Sequence, residues 1–169
     1  MKNNTLNSLK KPVDAVLAAV ICALMVALVV CVVWQVYSRY VIAKPSTLTD
    51  EIARFLLIWL ALLGASYVVG QQKHLTVDIF AAGLSGSRKD MVNISINLMI
   101  LVFCAGVILF GGILLVRNVM SSYQVAPALR IPMGYIYFVL PLSGFIMSCY
   151  SLLFIADDIL SIKSHKLSE

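Results

Sequence analysis

The chain has 169 residues, of which 61% are apolar and only 12% are charged, and its mean hydropathy is +0.95. Soluble domains are roughly 45–50% apolar, and a soluble protein of this length has too much surface for so few charges. The composition therefore excludes a soluble enzyme and an unfolded chain. The net charge of +5 at pH 7 does not indicate nucleic-acid binding, because the basic residues are scattered between apolar stretches.

Four long apolar stretches, at about residues 15–36, 52–70, 91–116 and 131–156, make up most of the chain. Each has the ~20 residues that a helix needs to cross ~30 Å of hydrocarbon, where helices satisfy the backbone hydrogen bonds. We therefore predict one all-α membrane domain over residues 1–169, with four transmembrane helices and short loops. The last two stretches are longer than necessary, which predicts tilt or extension past the interface, and two prolines interrupt the fourth.

The basic residues of the loops predict that both termini are cytoplasmic, because Lys and Arg are enriched in cytoplasmic loops. With that orientation, eight basic residues lie on the cytoplasmic side: Lys2, Lys10, Lys11, Lys73, Arg88, Lys89, Lys163 and Lys166. Five lie on the outer side: Arg39, Lys44, Arg54, Arg117 and Arg130.

The first stretch has an alanine at every fourth position, at Ala15, Ala19, Ala23 and Ala27. Small residues at this spacing form a groove in which another helix can approach closely. The groove is explained equally well by packing within this chain and by contact with a partner subunit.

Charged residues cluster where the second stretch begins. Thr47 and Asp50 have the spacing of a capping box, and Asp50 and Glu51 lie near the positive end of the helix dipole. Asp50 and Arg54 are four residues apart and can pair on one helix face, which explains an arginine at the membrane border. The alternative is that the cluster holds a neighbouring subunit, with Glu51 left for that partner. Trp59 lies deeper and is expected to pack.

His74 and Asp78 follow the second stretch at a spacing that could hold a metal ion on a helix. The other histidine, His165, is far away in the sequence, and no carboxylate cluster accompanies the pair, so we predict no metal site. We expect this segment to form a short interfacial helix at the cytoplasmic surface, with apolar side chains in contact with phospholipid.

Asn93 and Asn97 lie on one face of the third stretch, where amides form hydrogen bonds between helices. The apolar stretches lack a mid-span carboxylate for proton-coupled export and a histidine for haem binding. The loops lack the cysteine pair that a thiol oxidase needs. The four cysteines lie inside apolar stretches and are expected to pack. We therefore predict that the chain is not an enzyme and has no cofactor and no substrate site.

Four segments together resemble one known family. They are residues 49–60 (TDEIARFLLIWL), 63–66 (LGAS), 74–78 (HLTVD) and 127–135 (PALRIPMGY). Their residues and spacing resemble the DctQ-like small membrane subunit of tripartite ATP-independent periplasmic (TRAP) transporters. The residues that these segments and the polar pattern mark as structural or subunit-interface candidates are Asp50, Glu51, Arg54, Trp59, Gly64, His74, Asp78, Asn93, Asn97 and Arg130.

The resemblance implies a multi-pass subunit in the inner membrane of a bacterium. In that family a large multi-span subunit carries the substrate and sodium sites, and a periplasmic solute-binding protein delivers the substrate. The small subunit is expected to brace the large one and to help dock the receptor. Substrates of such systems are organic anions such as C4-dicarboxylates or sialic acid. Two other functions stay open: an accessory subunit of an unrelated membrane complex, and a small oligomeric channel or exporter.

Overall fold

The computed structural model describes residues 4–44, 46–71 and 87–166. Within these ranges, four helices are long and apolar enough to cross a membrane: Lys10–Tyr40, Thr47–Gly70, Val92–Ser121 and Met133–Leu160. They confirm the predicted all-α membrane fold with four transmembrane helices. The interfacial helix predicted after the second span, together with His74 and Asp78, falls in residues 72–86 and lies outside the described residues.

In chain order, the described helices are α1 (Asn4–Tyr40), α2 (Thr47–Gly70), α3 (Ser87–Phe103), a π-helical segment (Cys104–Phe110), α4 (Gly111–Ser121), α5 (Met133–Tyr137) and α6 (Val139–Lys166). The third span is therefore α3, the π-helical segment and α4 in sequence. The fourth span is α5 followed by α6.

The π-helical segment lies where the third span crosses α6 most closely. A Cβ atom on Gly144 would be 2.6 Å from the backbone nitrogen of Leu109, so the two helices meet there backbone to backbone. π-Helical turns occur mostly as short insertions within α-helices. The apolar pattern of residues 91–116 predicts one uniform helix and does not show this change.

The fourth span differs from the prediction at its beginning. Residues 131–132 belong to the preceding loop, because the Ile131 carbonyl accepts a hydrogen bond from the Ala126 amide (2.9 Å) and Pro132 forms a β-bridge with Val125. The helix starts at Met133 and is interrupted at Phe138, before α6 begins. Pro141 lies in the first turn of α6, where its missing N–H has no intrahelical partner to lose.

Helix α6 is the centre of the bundle. In the most apolar window of each span, 44% of the residues of the fourth span are buried, compared with 6% for the first. Helix α6 packs against α2, α3 and the π-helical segment, whereas α1 packs mainly against α2. The buried core comprises Leu17, Leu63, Val69, Cys104, Val139, Met147 and Tyr150.

Candidate functional site

The first polar cluster connects the end of α1 to the start of α2. The Gln35 side-chain amide donates a hydrogen bond to Asp50 Oδ1 (2.8 Å), and Arg54 forms an ion pair with Asp50 Oδ2. The predicted Asp50–Arg54 pair is therefore confirmed. Gln35 is a partner that the sequence analysis did not identify, although it is the polar residue nearest the end of the first apolar stretch. We call this cluster, with Glu51 and the 122–132 loop, the Asp50 junction.

The cap of α2 differs from the predicted capping box. Ser46, one residue before Thr47, has an extended backbone and caps the helix, and its side chain accepts a hydrogen bond from the Thr49 amide (3.5 Å). Thr47 is already helical. The Asp50 carboxylate accepts bonds from Gln35 and Arg54, so the predicted Thr47–Asp50 box is wrong.

Glu51 is bound within this chain. Its side chain is nearly buried, and Oε2 accepts hydrogen bonds from the backbone amides of Ala128 (2.9 Å) and Leu129 (2.8 Å). Successive amides in a turn form a natural binding site for a carboxylate. The expectation that Glu51 is left for a partner subunit is therefore wrong, because the loop before α5 already supplies its donors.

The 122–132 loop is folded tightly around this carboxylate. The Arg130 amide donates to the Ala126 carbonyl (2.9 Å), and Arg130 has a positive φ of 54° with its side chain exposed. Close by, the Trp59 indole donates a hydrogen bond to the Ile136 carbonyl in α5 (3.1 Å). The expectation that Trp59 packs is consistent with its contact to the buried core. Glu51 and Trp59 thus connect α2 to both sides of the turn into the fourth span.

A second polar cluster lies where α2 ends, and the sequence analysis did not predict it. Asp14 Oδ1 accepts a hydrogen bond from the Tyr150 hydroxyl (2.5 Å), and Asp14 Oδ2 accepts one from the Gln71 side chain (3.1 Å). One turn away, the Lys10 ammonium lies 5.1 Å from the centre of the Phe154 ring. We call this group the Asp14 junction. A single carboxylate here joins α1, α2 and α6.

Three other predicted residues lie away from both junctions. Gly64 is half-buried, and a Cβ atom there would meet nothing within 4 Å. Asn93 and Asn97 are half-buried on α3, and Asn93 Oδ1 has no hydrogen-bond partner among the described residues. Packing against residues 4–44, 46–71 and 87–166 therefore does not explain why position 64 is a glycine.

The alanine groove of α1 faces away from the bundle. Ala15, Ala19 and Ala23 are exposed, whereas Leu17 is buried and Leu24 packs against the core. Of the two explanations that the sequence leaves open, packing against the described part of this chain does not account for these three alanines.

Completely buried serines lie on α2 and α6, and the sequence analysis did not single them out. Ser66, Ser143 and Ser151 are completely buried, and the Ser66 hydroxyl donates to the Leu62 carbonyl (2.9 Å). Small residues let transmembrane helices approach closely. Ser143 and Ser151 are eight residues apart and lie near one side of α6, and this spacing is the signal that could have found them. In the described part of the chain, no group of three metal-ligating side chains comes together.

Comparison with known proteins identifies the family. The model of the DctQ component of tripartite ATP-independent periplasmic transporters matches residues 28–161. The chain belongs to the DctQ family. It is therefore a multi-pass membrane subunit of a TRAP transporter.

Three DctQ-related proteins illustrate the similarity. The chain is 24% identical over 106 residues to the sialic acid TRAP transporter small permease protein of Vibrio cholerae, covering 63% of this chain and 61% of that protein. It is 27% identical over 130 residues to a Haemophilus influenzae protein provisionally named a TRAP transporter small permease, covering 76% and 79%. It is also 27% identical over 130 residues to the isethionate TRAP transporter permease protein of Oleidesulfovibrio alaskensis, covering 73% of this chain and 20% of that longer protein.

The residues that match the DctQ model include the whole Asp50 junction but only part of the Asp14 junction. Every residue of the Asp50 junction lies within residues 28–161, and so do Gln71 and Tyr150. Asp14 and Lys10 lie before the matched range. The carboxylate of the Asp14 junction is thus outside the part of the chain that aligns with the family.

Proposed function

We propose that this DctQ chain is a non-transporting scaffold subunit of a sodium-coupled TRAP transporter for organic anions. It braces a large multi-span subunit that carries the substrate and sodium sites, and it works with a periplasmic solute-binding protein. Its role is assembly and support, and it catalyses no reaction.

The use of the acidic side chains carries this proposal. Asp14, Asp50 and Glu51 each accept hydrogen bonds from side chains or amides of this chain. Carboxylates that bind coupling ions in transporters lie in the membrane interior and face a pathway. The carboxylates described here lie near the borders of the bundle and join helices to one another, which favours a scaffold.

Two further observations support a large membrane partner. The isethionate relative is a much longer chain, of which the match covers only 20%, as expected if a DctQ-like region can be fused to a larger transport protein. In addition, the exposed alanines of α1 and Gly64 of α2 provide close-approach surfaces that the described residues do not fill. The relatives' named substrates, sialic acid and isethionate, are both organic acids, which supports the proposed substrate class.

We place the chain in the bacterial inner membrane with both termini in the cytoplasm, on the bias of the basic residues. The Asp50 junction then lies at the periplasmic side. There the 122–132 loop is held by Glu51 and exposes Tyr123 and Arg130. This loop is our candidate for contact with the periplasmic receptor.

Co-expression with the neighbouring transport genes tests the scaffold role. We expect a large multi-span protein to co-purify with this chain, and we expect sodium-dependent uptake in proteoliposomes to require both proteins and the receptor. Uptake by the large subunit and receptor alone, at the rate of the full complex, would contradict the proposal. Ion flux through this chain alone in liposomes would instead support a channel.

The orientation has its own test. A periplasm-dependent reporter such as alkaline phosphatase is fused after Glu169, and a matched fusion is made within the 122–132 loop. We expect activity from the loop fusion and none from the fusion after Glu169. The reverse pattern would show that the proposed orientation is wrong.

A further inference from the structure

An apolar groove runs along the outer surface of the bundle, between the third and fourth spans. It has a volume of about 510 Å³, within the roughly 300–1,000 Å³ typical of small-molecule sites. One wall is formed by Leu109, Ile113 and Arg117, and the facing wall by Phe138 and Phe145. Neighbouring residues of each wall are four or seven residues apart, so the side chains of each wall lie on one side of their span.

A close contact between α4 and α6 closes the inner side of the groove. A Cβ atom on Gly112 would lie 2.9 Å from the backbone nitrogen of Pro141, so α4 and α6 touch at this level. The side chains of Ile113, Phe138 and Phe145 extend outward from that contact and are about half exposed. The groove is therefore open toward the outside of the bundle and closed toward its core.

The dimensions of the groove match one acyl chain in one leaflet. Leu109 and Arg117 are eight residues apart, which is about 12 Å along the helix axis. Half of the hydrocarbon core is ~15 Å thick. Arg117 lies one turn before the end of α4 at Ser121, so the basic end of the groove lies near the headgroup level and the apolar end points to the bilayer centre.

Arg117 supplies a positive charge that the described part of the chain does not neutralise. Its side chain is exposed, and no described carboxylate lies within 4 Å of it. The two acidic residues described at this end of the bundle are engaged elsewhere, Asp50 with Arg54 and Gln35, and Glu51 with the loop amides. A guanidinium at the membrane border binds phosphate through charge-assisted hydrogen bonds.

We infer that this groove binds an anionic phospholipid. One acyl chain lies between Ile113 and Phe145, and the phosphodiester contacts Arg117. The apolar walls alone would accept any chain from the bilayer or a helix of a partner, but an unpaired arginine at the headgroup end selects a ligand with a phosphate there. The site would keep a lipid in a fixed position beside the contact between α4 and α6.

Lipid titration followed by native mass spectrometry tests the inference. The full chain is purified in mild detergent with any subunits that accompany it, and it is titrated with phosphatidylglycerol and, separately, with diacylglycerol. We expect phosphatidylglycerol to bind with at least tenfold higher affinity. Arg117→Gln should reduce phosphatidylglycerol affinity about five- to tenfold and leave diacylglycerol binding unchanged. Arg39→Gln, an exposed arginine at the same end but outside the groove, is the matched control and should change neither.

A second pair of variants tests the apolar part. Ile113→Trp fills the groove and should reduce binding of both lipids, whereas Leu114→Trp, on the neighbouring position that does not line the groove, should reduce neither. Thermal unfolding of each variant checks its fold. If Arg117→Gln is unstable, Arg117→Lys replaces it. Because Arg117→Lys keeps the charge, it should retain most of the phosphatidylglycerol binding. Equal effects of Arg117→Gln and Arg39→Gln would overturn the inference. So would an Ile113→Trp variant that loses its accompanying membrane protein with lipid binding unchanged, because a partner helix would then fill the groove.

Discussion

Both junctions connect helices through polar side chains, but the contacts are arranged differently. At the Asp50 junction the polar contacts are separate: Asp50 joins α1 to α2, Glu51 joins α2 to the 122–132 loop, and Trp59 joins α2 to α5. At the Asp14 junction one carboxylate accepts bonds from both Gln71 and Tyr150, so three helices depend on a single side chain.

This difference shows where the bundle can tolerate change. Loss of Asp50 leaves the Glu51 and Trp59 contacts in place, whereas loss of Asp14 removes the polar connection of α1 to α2 and to α6 at that end together. The junction with separate contacts lies wholly within the region that matches the DctQ family, and the shared carboxylate lies before it. Four sets of variants test this difference between the two junctions.

The largest loss is expected from Glu51→Ala. The substitution leaves the amides of Ala128 and Leu129 without their acceptor, and hydrogen bonds to a buried charged group are worth about 1.5–3 kcal/mol each. We expect the free energy of unfolding to fall by about 3 kcal/mol, measured by denaturant titration in detergent micelles. Glu51→Gln keeps an acceptor oxygen and should lose about 1 kcal/mol. Equal stabilities for Glu51→Ala and the exposed control Thr47→Ala would contradict the role of Glu51.

The next largest effect is expected at the Asp14 junction. Asp14→Leu should lower the free energy of unfolding by about 2 kcal/mol, because it removes the acceptor of two hydrogen bonds, and Tyr150→Phe should lower it by about 1 kcal/mol. The two residues share a contact, so the double variant should lose less than the sum, by about 1 kcal/mol. Strict additivity in this double-mutant cycle would show that Asp14 and Tyr150 are not coupled.

A smaller effect is expected from two matched glycine substitutions in α2. A Cβ atom on Gly70 would lie 2.9 Å from the Tyr150 ring, which the Asp14 hydrogen bond holds in place. Gly70→Ala should therefore cost about 1–2 kcal/mol. Gly64→Ala meets no atom of the described residues within 4 Å and should be neutral or stabilising by up to about 1 kcal/mol.

The Gly64→Ala variant also tests where the large subunit binds. If a helix of the large subunit crosses α2 at Gly64, Gly64→Ala should reduce recovery of that subunit in affinity purification without lowering the stability of the isolated chain. Unchanged recovery would place the interface on another face, such as the alanine groove of α1.

The smallest change in stability is expected from Arg54→Leu. The Arg54–Asp50 pair is exposed, with 72% and 44% of the two side chains accessible, and exposed ion pairs contribute little. We expect little change in the Tm of the isolated chain, but poor co-purification with the large subunit and uptake reduced in proportion to the complex lost. A complex that assembles fully yet shows an altered sodium stoichiometry would instead place Arg54 in the transport pathway.

The local parts of the Asp50 junction could be predicted because they depend on residues close in sequence. Asp50 and Arg54 are one helical turn apart, and that spacing is sufficient to bring the side chains together. The partners of Glu51 could not be predicted in the same way, since Ala128 and Leu129 are 77 and 78 residues away. The contact of Asp14 with Tyr150 spans 136 residues.

The number of spans, the helical class and the family could be predicted from the sequence, because length and hydropathy dictate what can cross a bilayer and the family motifs are local. Which face of each helix is buried depends on contacts in the folded bundle. In a soluble helix the apolar side marks the core, but in lipid both sides are apolar, so the pattern does not distinguish them. Ala15, Ala19 and Ala23 of α1 therefore lie outside while Ser66, Ser143 and Ser151 are completely buried. Burial in this bundle follows the close approach of helices, which depends on contacts between distant parts of the chain.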